Sequence, residues 1–130
     1  MSNGNENKPI LVTRETRITN RDIADLLVTA FEGGVNYWMD EAEPLGDFNF
    51  KKAPWYDDES FWDQPGAKFK IHDLDQDKWH VIDKPRIAVG FSLFASQHKE
   101  HFEDFANENY DAITADVWFQ LCVFGEIVYG

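Results

Sequence analysis

Lys68-Phe69-Lys70-Ile71-His72-Asp73-Leu74 alternates polar and apolar side chains, and Trp79-His80-Val81-Ile82 follows after Asp75-Gln76-Asp77-Lys78, a run of turn composition. Alternation with period two puts one set of side chains on each face of a strand, so the two runs predict a β-hairpin over about 68–82. Asp73, Asp75 and Asp77 also have the spacing that opens a calcium-binding loop. The remainder of that pattern fails, because Lys78 and Lys84 stand where glycine and glutamate are needed, and a hairpin turn is the better reading.

Outward from the hairpin, the flanks read as helix. Pro85 suits a first helical turn, and Ile87, Phe91, Leu93 and Phe94 support a helix over about 85–97 despite Gly90, with an irregular continuation through Phe102 and Phe105. Asp111 caps a last helix, about 112–124, in which Ile113, Val117, Leu121 and Phe124 share a face that Trp118, Phe119 and Val123 broaden. A helix apolar on most sides belongs at the centre, and Gly125 ends it. Toward the N-terminus, Thr19-Asn20-Arg21-Asp22 is a capping box, and Ile23, Leu26, Leu27, Ala30 and Phe31 form one stripe up to Gly33-Gly34. This predicts a helix over 20–32. Val35-Asn36-Tyr37-Trp38-Met39 then reads as a strand over about 35–40. The fold class is therefore α+β, a small antiparallel sheet packed with about three helices.

Residues 1–9 are polar and read as a flexible tail, and 10–130 as a single domain that opens with an extended arm, Ile10 to Ile18. Inside that domain, residues 44–66 form an irregular excursion broken by Pro44, Gly46, Pro54, Pro65 and Gly66. Between Asp40 and Asp63 there are eight acids against Lys51 and Lys52, interleaved with aromatics. The candidate binding surface is accordingly Phe48, Phe50, Trp55, Tyr56, Asp57, Asp58, Glu59, Phe61 and Trp62. A second acidic cluster runs from Glu100 to Asp116.

Charge narrows the function. A formal net charge of −12 opposes a phosphate backbone, so direct nucleic-acid binding is not expected and a basic partner surface is. No apolar stretch approaches the roughly 20 residues that span a bilayer, and the N-terminus lacks a signal-peptide core, which together predict a cytoplasmic protein. Cys122, the only cysteine, sits in an apolar run, and Ser92 and Ser96 lack a glycine-framed elbow or an activating partner, so catalytic residues are none. His98 and His101 have a metal-compatible spacing, but no second cluster completes a ligand set, so no metal or cofactor is expected.

Glu32-Gly33-Gly34-Val35-Asn36-Tyr37-Trp38, Thr114-Ala115-Asp116-Val117 with Gln120, and Phe124-Gly125-Glu126-Ile127-Val128-Tyr129-Gly130 resemble segments of a group of small bacteriophage proteins of unassigned activity. The likeness covers about half the chain and implies a phage or prophage origin and no reaction. Separately, Tyr37, Trp38, Asp116, Gln120 and Glu126 are polar-tipped groups set within or beside apolar elements. They either line one pocket or are buried polar groups with satisfied hydrogen bonds.

These features lead to an expectation of a phage accessory protein that binds a basic, nucleic-acid-binding site on a host or defence protein, as a DNA mimic does. The alternatives are a nucleotide-like ligand held by Tyr37, Trp38, Trp79, His80 and the last helix, with Arg14, Arg17, Arg21 and Arg86 gathered for phosphate, and a homo-oligomeric assembly subunit.

Overall fold

Each strand of the hairpin buries the side chains its alternation assigns inward. In the computed structural model, which describes residues 8–12 and 15–130, Phe69, Ile71 and Asp73 are fully buried while Lys68, Lys70 and His72 face outward. The Met1–Pro9 tail falls mostly outside the described residues, as do Thr13 and Arg14 of the arm. Elements follow in the order α1 (Asn20–Thr29), a π-helical turn (Ala30–Gly34), β1 (Met39–Pro44), two 3-10 turns (Trp55–Asp57 and Glu59–Asp63), β2 (Lys68–Asp73), β3 (Lys78–Asp83), α2 (Lys84–Gln97), α3 (Lys99–Ala106) and α4 (Ala112–Phe124).

The sheet is antiparallel with strand order β1-β2-β3. Its inner face carries Ala42, Ile71 and His80 in one row and Pro44, Phe69 and Ile82 in the next. Its outer face carries Glu41, His72 and Trp79, then Glu43, Lys70 and Val81. Asp73 Oδ1 accepts the amide hydrogens of Asp75 (3.0 Å) and Gln76 (3.1 Å), which closes the hairpin turn.

Helix α4 lies against the inner face. Phe119 stacks on Phe69 of β2 with centroids 6.2 Å apart, and Phe31 meets both rings edge-on. Nine residues of α4 are buried, including Thr114, Asp116 and Gln120, as expected of a helix enclosed by the rest of the chain. Helix α2 crosses it closely: a Cβ on Gly90 would stand 2.9 Å from Cys122 Cα and nearer still to its sulfur, so only glycine fits.

Two expected elements move. The first helix runs to Thr29 and continues as a π turn in which Val35 N–H donates to the Ala30 carbonyl at 3.0 Å. Residues 35–38 are a tight turn, not a strand: Trp38 and Met39 N–H both donate to the Val35 carbonyl, and pairing starts at Met39. The cause is Gly34, whose Cβ position would be 2.5 Å from the Ala112 carbonyl oxygen; the chain needs that approach to dock the turn on α4. The continuation through Phe102 and Phe105 is a separate helix, α3, set off at His98.

Candidate functional site

Asp116 and Gln120 stand one helical turn apart on α4, so their side chains project from the same face. Gly125, in the left-handed region at φ 74°, ends the helix and turns the last residues back along that face. The Gln120 side chain receives them. Its Oε1 accepts the backbone N–H of Val128 (2.9 Å) and of Tyr129 (2.8 Å), and its amide nitrogen donates to the Tyr129 carbonyl (3.1 Å) and to Asp116 Oδ1 (3.0 Å). A single side chain thus replaces the strand partner that the terminal segment lacks.

Asp116, 9% exposed, accepts from the Trp38 indole at 2.9 Å and from the Tyr37 hydroxyl at 2.5 Å. Three donors converge on this one carboxylate, which is how a charge is held in a core without a cation. Burial, reinforced by the bond to Asp116, pushes the Tyr37 hydroxyl up to about 12. Tyr129 extends the network: its ring stacks on Trp38 with centroids 5.4 Å apart, and its hydroxyl lies 2.8 and 2.9 Å from the two oxygens of fully buried Asp73. Burial, with Asp73 adding to it, takes this hydroxyl to about 12 as well.

Tyr37, Trp38, Asp116 and Gln120 therefore meet, as their positions suggest, but with their polar atoms turned on one another and on the terminal backbone. Glu126 is exposed and takes no part in these bonds. The arrangement is a clamp on residues 128–129. Asp73 belongs to it too, although the sequence singles it out only through its spacing from Asp75 and Asp77; the signal for its burial is its place with Phe69 and Ile71 on the inward register of β2. Beside it, His80 Nε2 is buried with no hydrogen-bond partner among the described residues, 3.6 Å from Asp73 Oδ2, and burial lowers the imidazole's affinity for a proton.

The excursion divides by chemistry. Phe61 and Trp62 are 1% and 3% exposed, and Phe48, Trp55 and Tyr56 are half-buried against the core. Trp55 and Trp62 both pack on Phe69, and Tyr56 meets Phe31 edge-on. Asp58 is buried as a loop staple. Its carboxylate accepts the amides of Lys51, Lys52 and Ser60 and the Ser60 hydroxyl; burial opposes its ionisation, yet these bonds hold it below the usual carboxylate range. Asp57 pairs with Arg21 and Lys52, and the hydrogen bond from Arg21 lowers its proton affinity. Of the nine residues in the candidate surface, Phe50 and Glu59 are the exposed ones, Phe50 at 40%. An open crevice of about 580 Å³ lies beside them, bordered by Asn20, Lys51, Lys52, Glu59, Ser60 and Asp63.

The ligand pocket expected at Trp79 and His80 does not assemble, since adjacent strand residues face opposite sides of the sheet. Trp79 lies on the outer face under the Lys70 ammonium, 4.5 Å from its ring centroid, while His80 meets Phe124 on the inner face. Two of the four cations expected to gather are engaged separately. Arg21 binds Asp25 and Asp57, and Arg86 donates to the Val123 carbonyl at the end of α4; Arg14 is outside the described residues. The Cys122 thiol is pushed well up by burial and is inert. No helix among the described residues is long and apolar enough to cross a membrane.

Acids dominate what remains at the surface. Among the described residues, the ion pairs of Lys and Arg engage only Asp25, Asp57 and Glu43. Glu41, Asp47, Glu59, Glu100, Glu103 and Glu108 are exposed and take no part in them. The chain is an α+β protein whose aromatic residues largely build the core and whose acids largely build the surface. A scan against protein families and searches of curated proteins and of solved structures return no match.

Proposed function

We propose that this chain is a phage accessory protein that acts by binding, presenting uncompensated carboxylates to a basic, nucleic-acid-binding site on a host or defence protein. The observation that supports the reading most directly is the segregation of rings inward and acids outward: the net charge of −12 is carried largely on exposed side chains that few cations neutralise. Such a surface attracts a basic patch over about a Debye length, raises the encounter rate, and repels nucleic acid itself.

The structure changes which residues would supply the contact. Trp55, Tyr56, Phe61 and Trp62 stabilise the excursion from within, so it presents Glu59, Asp47 and the half-exposed ring of Phe50 on a rigid base. The test is capture of host proteins on the immobilised chain at low ionic strength. Retention of a nucleic-acid-binding protein, released by salt and by added duplex DNA, is the expected outcome; failure to retain any such protein overturns the reading.

A further inference from the structure

Ile10, Leu11 and Val12 form the most exposed apolar run among the described residues, at 90%, 89% and 79%. Water strongly disfavours three consecutive branched aliphatic side chains at that exposure, so a segment of this kind has an apolar destination. Beside it lies a groove of about 1050 Å³ between α2 and α3, with Phe91, Ala95, Phe102 and Ala106 along its walls and Val12 and Ile18 of the arm at its border. The arm therefore stands at the lip of a groove whose apolar walls are interrupted by Ser92, Lys99 and Asn107, without filling it.

We propose that the groove receives the Ile10–Val12 segment of a second copy of this chain, each copy giving its arm to the other. The charge pattern selects a second copy over an unrelated apolar segment. The aliphatic run is flanked by Lys8, Arg14 and Arg17 against Glu15 alone, a locally basic stretch in a strongly acidic chain. The helix beside that stretch is acidic on balance: Lys99 and Glu103 both line the groove, and Glu100 and Asp104 are exposed on the same helix. Two copies of net charge −12 repel over most of their surfaces, and the basic arm on the acidic helix is the contact that offsets the repulsion. Reciprocal exchange is an isologous interface, so every arm–groove contact occurs twice. This surface is distinct from the excursion, and the exchange of arms does not depend on the binding function proposed for the acidic surface.

The test is the molar mass of the full chain in solution, measured by light scattering over a concentration series. The wild type is expected at twice 15.1 kDa, and Leu11→Asp, altered at a residue already 89% exposed, at the monomer mass with an unchanged far-ultraviolet circular dichroism spectrum. Ala95→Trp, which fills the groove, is expected to be monomeric too. A mixture of the two variants is expected to regain dimer, because one intact arm still meets one intact groove. A wild type that stays monomeric throughout the series, as it would with the arm folded on its own groove or reserved for another protein, overturns the proposal. So does a Leu11→Asp variant that dimerises like the wild type, or a mixture that stays monomeric when both variants are folded.

Discussion

Gln120 is the residue on which the end of the chain depends. Its side chain meets two backbone amides and one carbonyl that no strand or helix would otherwise satisfy. Gln120→Ala leaves these groups, and one side of Asp116, without partners, and an unsatisfied buried polar group costs about 1–3 kcal/mol. The expected outcome is a loss of about 2 kcal/mol in denaturant unfolding, together with fast hydrogen exchange at Val128 and Tyr129. Amides that stay protected in the variant would show that the terminal segment is held by something else. The same cluster sets a pH dependence. Tyr37 and Tyr129, both taken to about 12 by burial and by their bonds to Asp116 and Asp73, ionise near 10 once unfolded. Above pH 10 the unfolded chain therefore holds fewer protons than the native one, so this contribution to stability is complete below pH 10 and disappears as pH rises toward 12. Denaturation midpoints measured across that window should fall; a flat profile contradicts the assignment.

At the scale of elements, the close crossing of α2 and α4 is the sharpest constraint. Gly90 sits mid-helix, where glycine costs about 1 kcal/mol relative to alanine, and the contact with Cys122 is what it makes possible. Gly90→Ala is expected to lower stability by about 1–3 kcal/mol in spite of the gain in helix propensity, because the obstructing atoms are backbone as well as sulfur. An unchanged or raised thermal midpoint would mean that the helices separate easily. Elements defined by local pattern are legible in the sequence alone. The hairpin, α4 with its Asp111 cap and Gly125 stop, and the Thr19 capping box all rest on contacts within a few residues. The turn at 35–38 is not legible there, because Trp38 and Tyr37 are drawn to Asp116, nearly eighty positions away. Nor is the orientation of the excursion. Phe61 and Phe50 have the same chemistry, and only the position of Phe69 and the rest of the core decides that one is buried and the other half-exposed.

Across the whole molecule, aromatic residues and acids segregate. The sequence interleaves them, which suggests a single mixed surface, whereas folding turns most of the rings inward and leaves carboxylates outside. Of Tyr37, Trp38, Asp116, Gln120 and Glu126, grouped from their positions alone, the first four meet, with a clamp as the result, and Glu126 stays outside it. The proposed binding function accordingly rests on charge, and its most direct measurement is a paired capture experiment. The host proteins that bind heparin are passed at low ionic strength over the immobilised wild-type chain and over a variant with Glu41→Gln, Asp47→Asn and Glu59→Gln, three exposed positions outside the clamp. The account predicts that the wild type retains a nucleic-acid-binding protein which duplex DNA displaces, and that the variant retains it several-fold less. Equal retention by both chains, insensitive to DNA, or no retention by either, would contradict it.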